Sequence, residues 1–228
     1  ILTSDDFIID PFTYLVLTPD KQNLVTHYPK AANSHFLEMS LPSYPIRSGT
    51  VILLDPEENW PQRFDYDEDY HHGFLRDAKG ISLERYASGE EVNDPKNWHS
   101  AAAAENHATP GYKNSQVYEG NSGGVGLTIS PEIFIPDATG EQPFTTISYK
   151  MDQPNYLATL RIFTATGLEV RRLCQNEIWA ANGFYTWDGT NEKGEKVGVG
   201  YYIISAELIH PAGHVQHIKK TVVVGTKF

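Results

Sequence analysis

The residues able to do chemistry in this sequence are carboxylates, histidines and one cysteine, and their spacing decides which chemistry each could do. Asp65, Asp67 and Asp69 alternate with Tyr66 and Glu68. In an extended segment the three carboxylates share one face and offer the hard oxygen ligands that calcium takes. The run has neither the glycine turn nor the distant glutamate of an EF-hand loop, so a solvated acidic stretch is the competing reading. His71 and His72 are adjacent and point to opposite faces of a strand, and His99 and His107 flank an alanine-rich stretch without a cysteine or carboxylate at ligand spacing. Zinc is therefore not expected at either pair.

Nucleophilic and acid–base chemistry lack their usual arrangements. No Gly-x-Ser-x-Gly elbow occurs, and Gly123-Gly124-Val125-Gly126 lacks the lysine and following helix of a phosphate loop. Cys174, in the stretch Val170 to Cys174, is expected to be buried as a small hydrophobe. Glu57-Glu58 and Glu90-Glu91 fall in expected turns, where nothing would raise one carboxyl's pKa to make it an acid. No catalytic or cofactor-binding residue is assigned, and the chain is not expected to be an enzyme. Trp60, beside Pro61, and Trp179, before Ala180-Ala181-Asn182, read as loop positions and are the candidates for stacking a sugar ring.

The elements that would position these residues are almost all strands. In the first half Tyr14 to Thr18, Thr50 to Asp55 and Ile81 to Tyr86 are short apolar or alternating runs bounded by Pro, Gly, Asp or Asn. Pro42 to Gly49 and Asp65 to Gly73 read as turn-rich connections, and Asp94 to Ser115 as a long closing segment with the turn Thr109-Pro110-Gly111. Only Ala101 to Glu105 is a run of strong helix formers, too short to stand alone. Tyr118 to Gly126 has no periodicity and reads as a linker. Seven runs follow: Leu127 to Pro136, Phe144 to Lys150, Leu157 to Phe163, Glu169 to Cys174, Gly183 to Trp187, Gly200 to Ile209 and Val215 to Val224. The third alternates Ala158, Leu160 and Ile162 with Thr159 and Arg161, one face inward and one toward water.

Composition agrees with this reading. With 228 residues a second core is expected, and 13 Tyr and 10 Phe against 2 Met, beside 18 Gly and 14 Pro, is a profile of strands and tight turns. The expected fold is all-β, two immunoglobulin-like β-sandwich domains in tandem, over 1–117 and 127–228 with a linker at 118–126. The net charge is −11, and by residue 117 the chain has 9 basic and 18 acidic residues. So acidic a first half repels phosphate backbones, and no nucleic acid partner is expected. No apolar run is long enough to span a bilayer. The chain starts at Ile1 rather than Met, which reads as a processed or excised piece.

The segment Leu75-Arg-Asp-Ala-Lys-Gly80-Ile-Ser-Leu-Glu-Arg85, then Asn97-Trp98, then Ala108-Thr-Pro-Gly111-Tyr-Lys-Asn-Ser115, resembles the second half of a bacterial lamin-tail domain. Tyr14 to Thr18 and Gly49 to Asp55 fit the same family's middle strands. The resemblance implies an immunoglobulin-like sandwich over residues 12–115. The opening strand pair of such domains has no counterpart before Tyr14: either those strands are lost or another segment completes the domain, and an unpaired strand edge able to pair with another chain is expected. Ser130-Pro131, Arg161-Ile-Phe163 with Gly167, Val170-Arg171, Trp187-Asp188-Gly189, Gly200-Tyr201-Tyr202 and Lys220 to Val224 resemble the immunoglobulin-like domain of flagellar hook-capping proteins and of the C-termini of exported proteins of gliding bacteria. In that frame Trp187 fills the core and Asp188-Gly189 turns the chain.

These readings together lead to an expectation of a non-catalytic structural, adhesive or assembly module of an exported or cell-surface bacterial protein, outer-membrane-associated, with a protein or a cell-surface glycan as partner. The alternatives are a glycan-binding accessory module and the C-terminal tail of a secreted enzyme.

Overall fold

The computed structural model describes residues 8–54, 62–75, 77–86, 91–117, 124–136 and 143–226. The chain is mostly strand and divides into two compact units. The first comprises the described residues up to His71 together with Asp77–Ala101 and Glu105–Val117; the second comprises those from 124 onward with 72–75 and Ala102–Ala104.

In the first unit β1 (Leu15–Thr18) and β2 (His35–Glu38) pair in parallel, and the crossover that parallel pairing requires is the seven-residue helix α1 (Lys21–His27). No helix is expected here from the sequence, where the run is short and mixed in polarity. Its signals are local: the Asp20 side chain accepts from the Asn23 backbone N–H at 2.8 Å, and Pro29 follows the end. β3 (Ser48–Leu53) and β4 (Gln62–Asp67) form an antiparallel pair, as do β5 (Leu83–Arg85) and β6 (Trp98–Ser100). β4 replaces part of the connection expected over 65–73, because Phe64 and Tyr66 alternate with its aspartates. Phe64 stacks on Trp98 with ring centroids 3.6 Å apart. The alanine-rich stretch supplies only a 3₁₀ turn, Ala103–Glu105.

The second unit is built from β7 (Gly126–Ser130), β8 (Ile133–Phe134), β9 (Thr145–Lys150), β10 (Tyr156–Thr164), β11 (Glu169–Trp179), β12 (Asn182–Trp187), β13 (Gly200–Ile209) and β14 (Val215–Val224). One sheet has the order β11-β10-β13-β14-β8 and the other β12-β9-β7. Their inner faces share one core, including Leu127, Phe134, Ile147, Leu160, Ile162, Trp179, Trp187, Ile204, Leu208 and Val222, and this is an immunoglobulin-like β-sandwich. The alternation expected in β10 holds for Ala158, Leu160 and Ile162, but Thr159 on the other face is also buried. Its hydroxyl accepts from the Asn176 backbone N–H at 3.1 Å, held under β11. The expected linker falls partly outside the described residues, and its last residue, Gly126, opens β7.

Both units use one device where two strands cross closely. Gly49 lies opposite Tyr66 and Gly183 opposite Tyr149, and a Cβ at either glycine would come within 2.4 Å of the tyrosine hydroxyl oxygen. The ring covers the strand where a side chain is missing.

Candidate functional site

Among the described residues, those singled out by sequence do not assemble into one site. Asp65 ends up in β4, where its Oδ1 accepts from the Thr50 hydroxyl at 2.6 Å and from Arg63 Nε and Nη2, each at 3.0 Å. These hydrogen bonds, Thr50 first, hold its carboxyl below the usual range. Asp67 turns back to accept from the Asp69 backbone N–H at 2.9 Å, capping the 3₁₀ turn Glu68–Tyr70 that contains Asp69. The single extended run that would have aligned three carboxylates for calcium stops at Asp67. Among the described residues no group of three or more His, Cys, Asp or Glu side chains could hold a metal ion.

Trp179 is not in a loop. It ends β11 with 1% of its surface exposed, stacks on Tyr149 at 3.9 Å and donates from Nε1 to the Tyr185 hydroxyl at 3.1 Å. No sugar can reach its face, so the stacking role expected for it is corrected to core filling. Trp60, Glu57, Glu58, Glu90 and Gly123 lie outside the described residues. Cys174 is buried, and burial pushes its thiol up to about 11. His71 meets the Ser100 hydroxyl at 3.0 Å, and His99 lies edge-on to Tyr86.

Two polar constellations hold the backbone in place. Glu84, 3% exposed, is the hub of the first unit. Its carboxylate accepts from the Thr109 hydroxyl at 2.5 Å, the Ser115 hydroxyl at 2.6 Å and the Gln116 backbone N–H at 3.2 Å, while Asn114 Nδ2 donates to the Arg85 carbonyl at 2.9 Å. The closing segment is thereby fastened to β5. In the second unit Trp187 lies edge-on to Phe134 and Tyr202 and donates from Nε1 to the Thr190 carbonyl at 2.9 Å. Asp188 accepts from the Thr190 backbone N–H and hydroxyl at 3.1 and 2.6 Å, and Arg171 bonds both Asp188 and Thr190. Partial burial raises the Asp188 pKa, but the Thr190 hydrogen bonds and Arg171 outweigh it and leave the carboxyl below its ordinary value. Gly189, at φ 72°, passes within 2.8 Å of the Pro136 ring measured from where a Cβ would stand. This is the turn expected at Asp188-Gly189.

A third constellation is an imidazole cluster. His210 and His214 stack across the β13–β14 turn with ring centroids 4.0 Å apart and planes 14° apart. Parallel planes do not let in-plane lone pairs converge on one ion, and His210 Nδ1 already accepts from the Ala212 backbone N–H at 2.8 Å. Buried His72 faces the same cluster. Burial, then the neighbouring imidazoles, depress the pKa of both His72 and His210.

A concave surface lies on the outer face of the five-stranded sheet. There Thr159, Arg161 and Phe163 of β10, Ile203, Ser205 and Glu207 of β13, and His217 and Lys219 of β14 line a groove of about 370 Å³. Register sets its rows: Arg161 pairs with Ser205 and Ser205 with Lys219, while Thr159 pairs with Glu207 and Glu207 with His217. From the sequence Arg161 is a water-facing position and part of the Arg161-Ile-Phe163 motif, not a groove residue. Cross-strand register, which period-2 alternation does not contain, brings these rows together.

No family model matches the sequence, and no curated protein does. Among solved structures, the chain is similar to FlgD from P. aeruginosa at 17% identity and a TM-score of 0.29, over 35% of this chain and 61% of that one. It is similar to dimeric latent PorU from Porphyromonas gingivalis at 19% identity and a TM-score of 0.36, over 49% of this chain and 10% of that one. A third is CopC from Methylosinus trichosporium OB3b, at 16% identity and a TM-score of 0.30, over 45% of this chain and 94% of that one. The chain thus spans less than two thirds of the length of the first two. No helix among the described residues is long and apolar enough to cross a membrane.

Proposed function

We propose that this chain is a non-catalytic structural or assembly module of an exported bacterial surface protein, working by docking to other polypeptide. The observation that carries the reading is in β3 and just beyond it. Val51, Ile52, Leu53 and Leu54 are consecutive and 43%, 43%, 55% and 45% exposed. Among the described residues β3 is paired on one side, by β4; such an apolar strand is a template for another strand, and contiguous exposed apolar surface marks interaction sites. In this reading the partner adds a strand beside β3.

The lamin-tail reading of the first unit draws support from the way its three sequence motifs meet. Glu84 from the first motif takes hydrogen bonds from Thr109 and Ser115 of the third. Arg85 of the first motif lies opposite Trp98 of the second in the β5–β6 pair. The polar groups that are buried in both units spend their hydrogen bonds on fastening segments, which favours a scaffold over a reaction centre.

Retention on bacterial envelopes tests the proposal. Fluorescently labelled chain should be held saturably, retention should fall at least severalfold for a Val51→Thr/Leu53→Thr double variant, and protease treatment of the envelopes should abolish it. Loss of retention after glycosidase but not protease treatment would replace this reading with a glycan-binding one. Turnover of ester, glycoside or phosphate probes by the purified chain would overturn it.

A further inference from the structure

We infer that the groove on the outer face of the five-stranded sheet binds an extended peptide that presents a basic, an acidic and an apolar side chain at alternate positions. The inference rests on the docking role proposed above but concerns a surface distant in sequence from β3.

The central row of the groove is Arg161, Ser205 and Lys219 on three neighbouring strands. Strands are about 4.8 Å apart, so the two cations flank the small serine across roughly 10 Å, enough to admit a carboxylate between them. Among the described residues no carboxylate forms an ion pair with Arg161 or Lys219, and no acceptor reaches the enclosed Arg161 Nε. A guanidinium held half-buried by its sheet neighbours is ordered before the ligand arrives, which lowers the entropy lost on binding.

The rows on either side differ in kind. Phe163 opposite Ile203 gives an apolar row, and Glu207 opposite His217, with Oε2 and Nδ1 3.9 Å apart, gives the row containing the groove's carboxylate. Successive rows are two residues apart along each strand, about 6.7 Å, which is also the separation of same-face side chains in an extended peptide. A peptide lying along the strands would place its basic residue at Glu207, its carboxylate between Arg161 and Lys219, and its apolar residue on Phe163 and Ile203. This order makes the groove selective. A simple anion satisfies only the middle row, and an inverted peptide sets lysine on Phe163 and Ile203 and leucine against Glu207.

Titrating the ¹⁵N-labelled full chain with the capped pentapeptide acetyl-Lys-Thr-Glu-Thr-Leu-amide tests this. Saturable amide shifts are expected at 159–163, 203–207 and 217–219. Arg161→Gln and the exposed, fold-neutral Lys219→Gln should each weaken binding about tenfold. A composition-matched peptide with Glu and Leu exchanged, and glucuronate as the sugar-acid source of the same carboxylate, should bind at least severalfold less well. No saturable shift, equal response to the exchanged peptide or to glucuronate, or binding unchanged in Lys219→Gln would overturn the inference. Envelope retention lost in Val51→Thr/Leu53→Thr but kept in Lys219→Gln would leave the docking module standing while removing the groove from it.

Discussion

The two units solve the same problem with unequal means. The second closes two sheets over a core containing Trp179, Trp187, Phe134 and Ile147, each with 1% or less of its surface exposed. The first has three two-stranded sheets among its described residues, and its buried hydrophobics are few and small: Val16, Ala31 and Ala101. A two-stranded sheet is marginal alone, so the first unit leans on directed polar fasteners such as Glu84, whereas the second relies on area removed from water. The difference teaches where function is carried. The tightly packed unit offers a rigid sheet face with ordered charges, and the loosely packed one offers unburied strand.

The sharpest way to break this contrast is to cut each unit at its own support. Trp187→Ala removes a ring packed on Phe134 and Tyr202 and should cost the second unit about 3–5 kcal/mol. Urea titration followed by resolved amide signals should show that loss in β9–β14. Glu84→Ala removes the Glu84 acceptor of the Ser115 hydroxyl and the Gln116 N–H and the nearer of two acceptors of the Thr109 hydroxyl, and should cost the first unit about 2–3 kcal/mol. The same titration would read it in β5 and β6. Equal damage to both units from either change would erase the distinction.

Acid gives a smaller effect, and His71 of the first unit, whose pKa burial also lowers, takes part in it. The folded-state pKa values of His72 and His210 lie below 6.5, so the unfolded chain binds more protons just under that pH. Stability from keeping them neutral is complete above pH 6.5 and is lost as pH falls from there toward their folded values. Thermal midpoints at pH 7.5 and 5.5 should therefore drop for the second unit, and His72→Gln should flatten that drop. The smallest effect is expected at Ile52→Thr, below about 0.5 kcal/mol, because the side chain is 43% exposed; a cost above 1 kcal/mol would mean β3 is already covered.

Strands with long, regular alternation were legible in the sequence. β13 and β14 run over Gly200–Ile209 and Val215–Val224 as expected, separated by the turn at Gly213, φ 89°. Short mixed strands were not. β2, β4 and β6 have four, six and three residues in which His, Asp, Glu or Ser interrupts the apolar signal, and pairing with distant partners decides them. Trp179 was misplaced because Ala180-Ala181-Asn182 resembles a loop, while β11 continues five residues past Cys174 to bring the ring under Tyr149. The Arg161 row was invisible for a physical reason: alternation tells which face a residue takes, but only register tells what stands beside it.

Hydrogen exchange across the whole chain measures the central contrast most directly. Amides of β10, β13 and β14 should exchange only through global opening of the second unit, while those of β3 and β4 should exchange at least a hundredfold faster through local opening. Protection in β3 and β4 equal to that of β13 would contradict the account, because it would mean the apolar strand offered for docking is already locked within this chain.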